Sequence, residues 1–349
     1  MTTVLAPLTR PVSALLAKLR IDPFIAAILC TVGVASLLPA SGATATGFGI
    51  ASNIAVGVLF FLYGARLSSK EALDGLRHWR LHVTVLSATF VLFPLLGLAA
   101  SFLSPGLLTS PLYTGVLFLC LLPSTVQSSI AFTSIAKGNV AAAICSASVS
   151  NLLGIVLTPL LVALLLSTDG PGVSGSAVLD IVLQLLVPFV AGQLARRWIG
   201  GWVSRHSAPL KLVDRGSILL VVYTAFSEGM TEGIWHKLDL GPLFVLLGVC
   251  VVLLAAVLTA TSVGARLLGF DRADRITIVF CGSKKSLASG LPMATVLFGH
   301  GQVGLIVLPL MLFHQIQLIV CAAMARRYAR HAAASDEDTD EQGELVPAG

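Results

Sequence analysis

Residues 279–288 read Val-Phe-Cys-Gly-Ser-Lys-Lys-Ser-Leu-Ala, and this stretch interrupts an apolar segment that runs from about 275 to 298. A segment of that length can cross the ~30 Å hydrocarbon core of a bilayer as a helix. A charged side chain at the centre of such a helix costs about 2.5–3.5 kcal/mol on insertion scales, so two adjacent lysines need partners that offset this cost. We expect the helix to break here and Lys284 and Lys285 to face protein and not lipid.

A second apolar segment carries a similar interruption. Residues 119–131 read Leu-Cys-Leu-Leu-Pro-Ser-Thr-Val-Gln-Ser-Ser-Ile-Ala, in which Pro123 is followed by side chains that can hydrogen-bond. Residues 127–131 (Gln-Ser-Ser-Ile-Ala) echo residues 284–288 (Lys-Lys-Ser-Leu-Ala) five predicted spans later. Paired broken helices at corresponding positions of two halves are typical of secondary transporters. Because five is an odd number of spans, the second half enters from the opposite side, and the pattern predicts an inverted repeat.

The composition places the whole chain in a membrane. Of its 349 residues, 56% are hydrophobic and 11% are charged, against roughly 25% charged in a typical soluble domain. This excludes a soluble protein. Apolar runs bounded by charges, Gly or Pro predict an all-α polytopic protein with ten transmembrane helices, of which the fourth and ninth are discontinuous. The predicted spans are 23–40, 48–67, 82–102, 112–136, 140–167, 177–195, 216–235, 241–268, 275–298 and 302–325.

The basic residues sort by loop and so predict the orientation. If the amino terminus is cytoplasmic, every Lys and Arg outside the ninth span falls in a cytoplasmic segment except Lys237. This bias predicts that both termini lie on the cytoplasmic side of the inner (plasma) membrane. The predicted organisation is a cytoplasmic lead (1–22), a first five-helix repeat (23–167), an inverted second repeat (177–330) and a disordered acidic cytoplasmic tail (331–349).

Both interruptions should face inward, because lipid offers no partner for the backbone N–H and C=O groups that a broken helix frees. A half-helix that begins at a break also directs the positive end of its dipole into the cavity, which favours a small organic anion. The alternative for the lysines is a structural bond to broken-helix carbonyls, and for Ser and Thr a bond to the carbonyl four residues earlier. The candidate substrate-binding residues are Ser124, Thr125, Gln127, Ser128, Ser129, Ser283, Lys284, Lys285, Ser286 and His314.

Other polar residues at membrane depth carry a weaker signal. Two residues of the fifth span and three of the tenth are of types that more often link helices by hydrogen bonds than bind a ligand, namely Ser150, Asn151, His314, Gln315 and Gln317. They are candidates for the site, with interhelical bonding as the alternative.

The sequence contains no pattern typical of an enzyme or a metal centre. All six cysteines lie in apolar stretches without a C-x-x-C pair. No H-E-x-x-H, G-x-S-x-G or G-x-x-x-x-G-K-[ST] occurs. We therefore predict no enzyme, no cofactor, no metal and no nucleic-acid partner. Two function classes remain, a secondary transporter of a small organic anion and a membrane sensor or regulatory protein that does not transport. The oligomeric state stays open.

Several short motifs, by their order and spacing, resemble the bile acid:sodium symporter family over nearly the whole chain. The ninth segment is most similar to the SBF-like branch that holds solute carrier family 10 member seven and its bacterial relatives. The resemblance implies two inverted five-helix repeats arranged as core and panel domains, with the fourth and ninth helices unwound where they cross. It also implies alternating access by movement of core against panel. The motifs are Thr89-Phe90-Val91-Leu92-Phe93-Pro94, residues 123–139 ending in Ala-Lys-Gly-Asn, Leu157-Thr158-Pro159 and residues 280–287.

The same resemblance reveals a departure at the ion sites. In sodium-coupled members the ions are held by polar side chains, including a Gln in the third helix and a Glu in the ninth. The corresponding positions here are Thr89, Ala143, Ala147 and Phe280, which supply too few oxygen ligands for a hard cation.

Lysine stands where sodium-coupled members read Gln-Asn in the ninth helix. We hypothesise that the ammonium of Lys285 or Lys284 takes the place of the coupling sodium. The ammonium would then neutralise the carbonyl ends of the broken helices, bind the anionic substrate, or titrate. The candidate coupling residues are Lys285, Lys284, Thr89, Ser150 and Asn151.

Overall fold

The structure is a computed structural model that describes residues 23–66, 78–104, 106–166, 175–231, 240–298 and 300–344. The predicted lead, 1–22, and the last five residues of the predicted tail lie outside the described residues. Within the described ranges all regular secondary structure is helical, which confirms the all-α prediction.

Thirteen α-helices cover these ranges, and a helix or a consecutive pair of helices overlaps each predicted span. A π-helical segment, Ala88–Leu92, joins α3 to α4, and a 3-10 turn, Ala100–Leu103, follows α4. The helices are α1 (Pro23–Leu37), α2 (Gly42–Arg66), α3 (Trp79–Ser87), α4 (Phe93–Ala99), α5 (Ser110–Leu121), α6 (Val126–Ile135), α7 (Val140–Leu166), α8 (Gly175–Arg205), α9 (Ser207–Thr231), α10 (Leu240–Leu267), α11 (Arg272–Gly282), α12 (Leu287–Phe298) and α13 (His300–Glu344).

The described helices have the length that a membrane protein needs, and large apolar side chains lie on its exterior. Five helical stretches are long and apolar enough to cross a bilayer, and the bent pair α5–α6 makes a sixth. Large apolar side chains point outward, with Phe102 81% and Leu267 83% exposed. In water such a surface would drive association, whereas in lipid it is an ordinary exterior. The five stretches are Gly42–Arg66, Trp79–Leu103, Val140–Leu166, Gly241–Leu267 and Val303–His331.

Pro123 ends helix α5. The proline ring disfavours helical backbone at the residue before it, and Leu122 is extended, with φ −75° and ψ 156°. The chain stays extended as far as Thr125, and α6 then starts at an angle of 61° to α5. This four-residue interval, 122–125, is called the first break below.

Helix α11 ends at Gly282, and α12 begins five residues later at Leu287. A Cβ built on Gly282 would lie only 3.2 Å from side-chain carbons of Ala88 and Thr261, so the missing side chain permits close packing. The interval 283–286 is called the second break below.

The chain divides into two compact units. One comprises Met1–Arg66, Leu179–Leu240 and Leu291–Leu308. In this unit α2 and α8 approach closely through glycine, because a Cβ on Gly64 or on Gly192 would overlap a carbonyl oxygen of the other helix. An ion pair between Arg66 and Asp214 links α2 to α9 in the same unit.

The other unit comprises Leu67–Val178, Gly241–Gly290 and Pro309–Gly349, and it contains both breaks. An apolar cluster from α3, α7, α10 and α11 forms part of its core. The cluster consists of Leu81, Val85, Ala142, Ala143, Ala265, Ile278 and Cys281.

Helix α13 continues to Glu344 and so runs through most of the segment, 331–349, for which the acidic composition predicts disorder. The segment begins His-Ala-Ala-Ala, and alanine has the highest helix propensity of the common residues. The preceding span is already helical, so the helix can continue into this segment without the cost of forming a new helical nucleus.

Candidate functional site

The first break frees the backbone carbonyls at the end of α5, and two of them accept from one ammonium group. The Nζ atom of Lys285 donates to the carbonyl of Cys120 at 2.8 Å and to that of Leu122 at 2.6 Å. The last carbonyls of any helix lack an intrahelical donor, and leaving one buried and unpaired costs about 1–3 kcal/mol. Lys285 therefore stabilises the end of α5.

The remaining carbonyls of the first break are also paired, each with a donor from a different residue. The break can persist away from water because no carbonyl between Cys120 and Ser124 is left without a donor. The pairs are the Leu121 carbonyl with Thr158 Oγ1 at 2.8 Å, the Pro123 carbonyl with the Ser286 N–H at 2.9 Å, and the Ser124 carbonyl with Asn151 Nδ2 at 2.8 Å.

A further free carbonyl, that of Thr89, arises from the π-helical segment. There the N–H of Phe93 donates to the carbonyl of Ala88 and not to that of Thr89. The next residue is Pro94, which has no N–H. The Thr89 carbonyl therefore has no donor in its own helix, and it accepts from Lys285 Nζ at 2.9 Å.

The ammonium of Lys285 is thus fully buried and uses its three N–H donors on three carbonyls. The ring centroid of Phe93 lies 4.1 Å from Nζ and adds a cation–π contact. The only ion pair among the described residues, Arg66–Asp214, belongs to the other unit. Carbonyl dipoles, and not a described carboxylate, balance this charge.

Lys284 is also fully buried, but it has a different environment. Its Nζ donates to the carbonyl of Ser128 at 2.9 Å and lies 3.8 Å from the ring centroid of Phe132, both on α6. The Phe280 ring is 5.5 Å away. Lys284 therefore joins the second break to the helix that follows the first break.

The backbone of the second break is held by Gln317, which is fully buried on α13. Its Oε1 accepts from the Lys285 N–H at 3.0 Å, and its Nε2 donates to the Lys285 carbonyl at 3.0 Å. His314 is half-buried and its Nδ1 lies 3.4 Å from the same carbonyl and 2.8 Å from Gln317 Nε2. The sequence indicates Gln317 only as a weaker candidate, with interhelical bonding as the alternative, and it is not among the candidate binding or coupling residues; its position one turn after His314 was a usable signal.

Hydroxyl groups of the first break and of α6 bond directly to the second break or to the last turn of α11 before it. Ser124 Oγ donates to the Cys281 carbonyl at 2.6 Å and Thr125 Oγ1 to the Lys285 carbonyl at 2.7 Å. Ser129 Oγ donates to the Phe280 carbonyl at 3.2 Å. The structure therefore places the two breaks against each other.

Ser283 behaves differently from the other predicted serines. Its Oγ donates to the Val279 carbonyl at 2.6 Å, four residues earlier in α11. This is the local bond named above as the alternative to a binding role.

Ser286 caps α12, and a chain of polar groups leads from it back to the first break. Its Oγ accepts from the Ser289 N–H at 3.2 Å. Ser289 Oγ donates to Asn151 Oδ1 at 2.7 Å, and Asn151 in turn bonds the Ser124 carbonyl. Ser150 Oγ accepts from the Ser124 N–H at 3.0 Å. Ser150 and Asn151 thus hold the first break in place.

The first turn of α6 is open by contrast. Thr125 occupies the N-cap position but makes no capping bond, because its hydroxyl is bonded to Lys285. Gln127 is exposed, and the buried Ser128 Oγ has no hydrogen-bond partner among the described residues. The N–H groups of a first turn have no intrahelical acceptor. The open α6 terminus, residues 126–128, can therefore receive an anion.

The positions that the family resemblance aligns with sodium ligands are apolar or already engaged. Ala143 and Ala147 are fully buried, and Ala143 belongs to the apolar cluster. The Phe280 ring packs on Phe132 and Tyr328. The Thr89 hydroxyl donates to the Val85 carbonyl at 2.9 Å. Within the described ranges no group of three His, Cys, Asp or Glu residues could hold a metal ion.

Comparison with known proteins shows matches along most of the chain. Residues 22–330 match the model of the SBF-like CPA transporter family. An uncharacterized protein of Pseudomonas aeruginosa is 59% identical over 88% of this chain and 93% of its own length. "Putative symporter YfeH" of Escherichia coli is 54% identical over 89% and 93%. "Sodium/bile acid cotransporter 7" of Rattus norvegicus is 31% identical over 88% and 92%.

Proposed function

This chain belongs to the SBF-like CPA transporter family, and on that premise we propose that it is a secondary active transporter that moves a small organic anion by alternating access. It is a multi-pass membrane protein of a transporter family and not an enzyme, and its bacterial relatives point to the plasma membrane. The name of the rat relative, a sodium/bile acid cotransporter, supports an organic anion as the substrate class.

One observation carries the proposal for how the site works, namely the ammonium of Lys285 on three backbone carbonyls at 2.6–2.9 Å. A ring of carbonyl oxygens around a cation is how proteins replace the hydration shell of an ion. We propose that Lys285 is a fixed cation in the place of a coupling sodium. The surroundings of Ala143 support this, because it packs in an apolar cluster that includes Val85 and Ile278.

Of the three roles left open by the sequence, neutralisation of carbonyl ends is the best supported for Lys285. All three of its N–H donors are engaged, so none remains for a substrate. Lys284 makes one such bond, to the Ser128 carbonyl, and stacks on Phe132. Its positive charge behind the first turn of α6 adds to the attraction for an anion at that terminus.

The open α6 terminus is the proposed substrate site. Its free N–H groups and the positive end of the α6 dipole suit a carboxylate or sulfate group. The Ser128 hydroxyl, which lacks a described partner, and the exposed Gln127 amide supply further donors.

The wider architecture belongs to the same proposal. We propose ten spans in two inverted five-helix repeats, 23–167 and 177–330, with both termini cytoplasmic. The discontinuous pairs α5–α6 and α11–α12 would be the fourth and ninth spans. The charge bias of the loops supports the orientation.

The proposal is tested by flux through the purified protein in liposomes. A thermal-shift screen of anionic metabolites first identifies a ligand, since bound ligand stabilises the folded state. Uptake of that ligand is then measured in sodium buffer and with choline in place of sodium. We expect equal uptake in both.

Two other results would contradict parts of the proposal. Uptake that disappears in choline would show that the protein still needs sodium and that Lys285 is not a substitute cation. Binding without flux would instead favour a sensor or regulatory protein on the same fold.

A further inference from the structure

A second polar site lies apart from the two breaks, in a cavity of about 490 Å³ lined by the last turns of α10, the first turns of α11 and residues 324–331 of α13. Its inner wall includes the apolar side chains of Ile276, Val279 and Met324. None of its lining residues is among the predicted binding or coupling residues. The polar lining consists mainly of Arg266, Arg272, Arg275, Arg327, Tyr328 and His331.

The arginines that line this cavity form no ion pair with a carboxylate of the described residues. The nearest acidic residues along the chain, Asp271 and Asp274, are both engaged elsewhere. Asp271 caps α11 by accepting from the Asp274 N–H at 2.8 Å, and Asp274 accepts from Asn139 Nδ2 at 2.8 Å. Neither forms an ion pair with a described arginine, because Arg66–Asp214 is the one ion pair in the described part of the chain.

We propose that this cavity binds a phosphate-bearing ligand. The planar guanidinium fork of arginine matches phosphate oxygens in pairs, and several arginines around one cavity concentrate that match. The volume falls within the ~300–1,000 Å³ range of small-molecule sites. Basic pockets between transmembrane helices commonly hold phospholipid headgroups.

Two sources share this chemistry, a phospholipid headgroup and a soluble phosphate ester. The exposed Leu267 and Leu268 beside Arg266, at 83% and 49%, offer an apolar path for acyl chains along α10. The experiment therefore contains an arm for each source.

The test uses the full-length protein in neutral detergent and measures its melting temperature with added cardiolipin, phosphatidylcholine, inorganic phosphate or pyrophosphate. The cavity variant is Arg266→Gln with Arg327→Gln, two exposed side chains for which the structure describes no hydrogen bond or ion pair. The matched control is Arg326→Gln with Arg330→Gln, which removes the same charge from exposed positions on α13 outside the cavity lining.

We expect cardiolipin or the soluble phosphates to stabilise the wild type and the control, and phosphatidylcholine, which has no net charge, to do much less. In the cavity variant the apparent affinity should fall by about tenfold or more, because two guanidinium groups that can pair with phosphate oxygens are removed. A response to cardiolipin alone identifies the lipid headgroup, and a response to the soluble anions alone identifies a phosphate ester.

The proposal is overturned if no phosphate-bearing probe stabilises the wild type. Equal losses in the cavity variant and the control would also overturn it, because the arginines would then act only as diffuse surface charge. A third variant, Arg266→Lys with Arg327→Lys, keeps the charge but loses the planar guanidinium groups. Full wild-type affinity in this variant would also contradict a site that recognises phosphate through arginine.

Discussion

The two breaks differ in what they supply to each other. The first break, at Pro123, presents carbonyl oxygens and leaves the following helix uncapped. The second break, after Gly282, presents two ammonium groups and caps its following helix with Ser286. Ser124, Thr125 and Lys285 bond across from one to the other.

The difference shows how a broken helix can be stable at membrane depth. Each break frees backbone N–H and C=O groups that lipid cannot satisfy. Here the second break provides donors to carbonyls of the first, and the first break provides hydroxyl donors in return. Among the described residues of the two breaks and their adjoining turns, the exchange is incomplete at the first turn of α6, where the Ser128 hydroxyl has no described partner. We infer that incomplete pairing marks the binding end, whereas complete pairing marks the structural part.

The largest expected effect follows loss of the Lys285 ammonium. Lys285→Met keeps an unbranched side chain, one atom shorter, but leaves the carbonyls of Thr89, Cys120 and Leu122 without their donor. At about 1–3 kcal/mol for each buried carbonyl, the loss of stability should reach several kcal/mol. The measurement is the melting temperature of the detergent-solubilised protein by size-exclusion chromatography.

Two matched variants sharpen this first prediction. Lys284→Met should cost less, because its one carbonyl partner, that of Ser128, lies inside α6 and keeps its intrahelical donor. Lys211→Met, at an exposed position on α9, should leave the melting temperature unchanged. Equal melting temperatures in all three variants would show that the carbonyls do not depend on Lys285.

The next largest effect concerns Gln317. Gln317→Leu removes the acceptor of the Lys285 N–H. It also removes one donor to the Lys285 carbonyl, but that carbonyl still accepts from the Thr125 hydroxyl. We expect a destabilisation of about 1–3 kcal/mol, seen as a lower melting temperature. The control is Gln315→Leu on the same helix, because Gln315 Oε1 is buried without a described partner and its loss removes no bond.

A smaller effect should follow removal of the α12 cap. Ser286→Ala deletes the group that accepts from the Ser289 N–H, and such caps are worth about 1 kcal/mol. Ser283→Ala in the same break removes only a bond to a carbonyl of its own helix and should change stability by a few tenths. If both variants melt alike, Ser286 is not an effective cap.

The smallest effect on stability is expected for a substitution at the open α6 terminus. This substitution should weaken anion binding instead. Ser128→Ala removes a hydroxyl without a described partner, so the melting temperature should not change. Affinity for the anion found in the screen should fall by about tenfold, the value of one bond to a charged group. The exposed Ser134, at the other end of α6, provides the control Ser134→Ala. Unchanged affinity in Ser128→Ala would remove this terminus as the substrate site.

The positions of the two breaks and the burial of the lysines could be predicted from the sequence, because they depend on neighbouring residues. Proline at 123 predicts an extended residue before it, and Leu122 is extended. Adjacent lysines in an apolar segment predict burial against protein, and both are fully buried. The prediction could not assign partners, because a serine can equally bond its own helix, as Ser283 does, or another, as Ser124 does.

Gln317 and the Thr89 carbonyl show where sequence reasoning ended. Gln317 is one of several polar residues of the tenth span, and only its position opposite Lys285 distinguishes it from Gln315. The Thr89 carbonyl belongs to the backbone, so no side chain reports it. This carbonyl lacks a donor in its own helix because a π-helical turn, Ala88–Leu92, is followed closely by Pro94, which has no N–H.

The sequence by itself determined that this chain resides in a membrane, that it is helical, and where Pro and Gly interrupt the helices. These features depend on apolar content and on sterics within a few residues. Only the tertiary structure decided which donor meets which carbonyl, since Lys285 is separated from its three acceptors by 196, 165 and 163 residues. Hydrogen bonds act over about 3 Å in space and carry no signature along the chain.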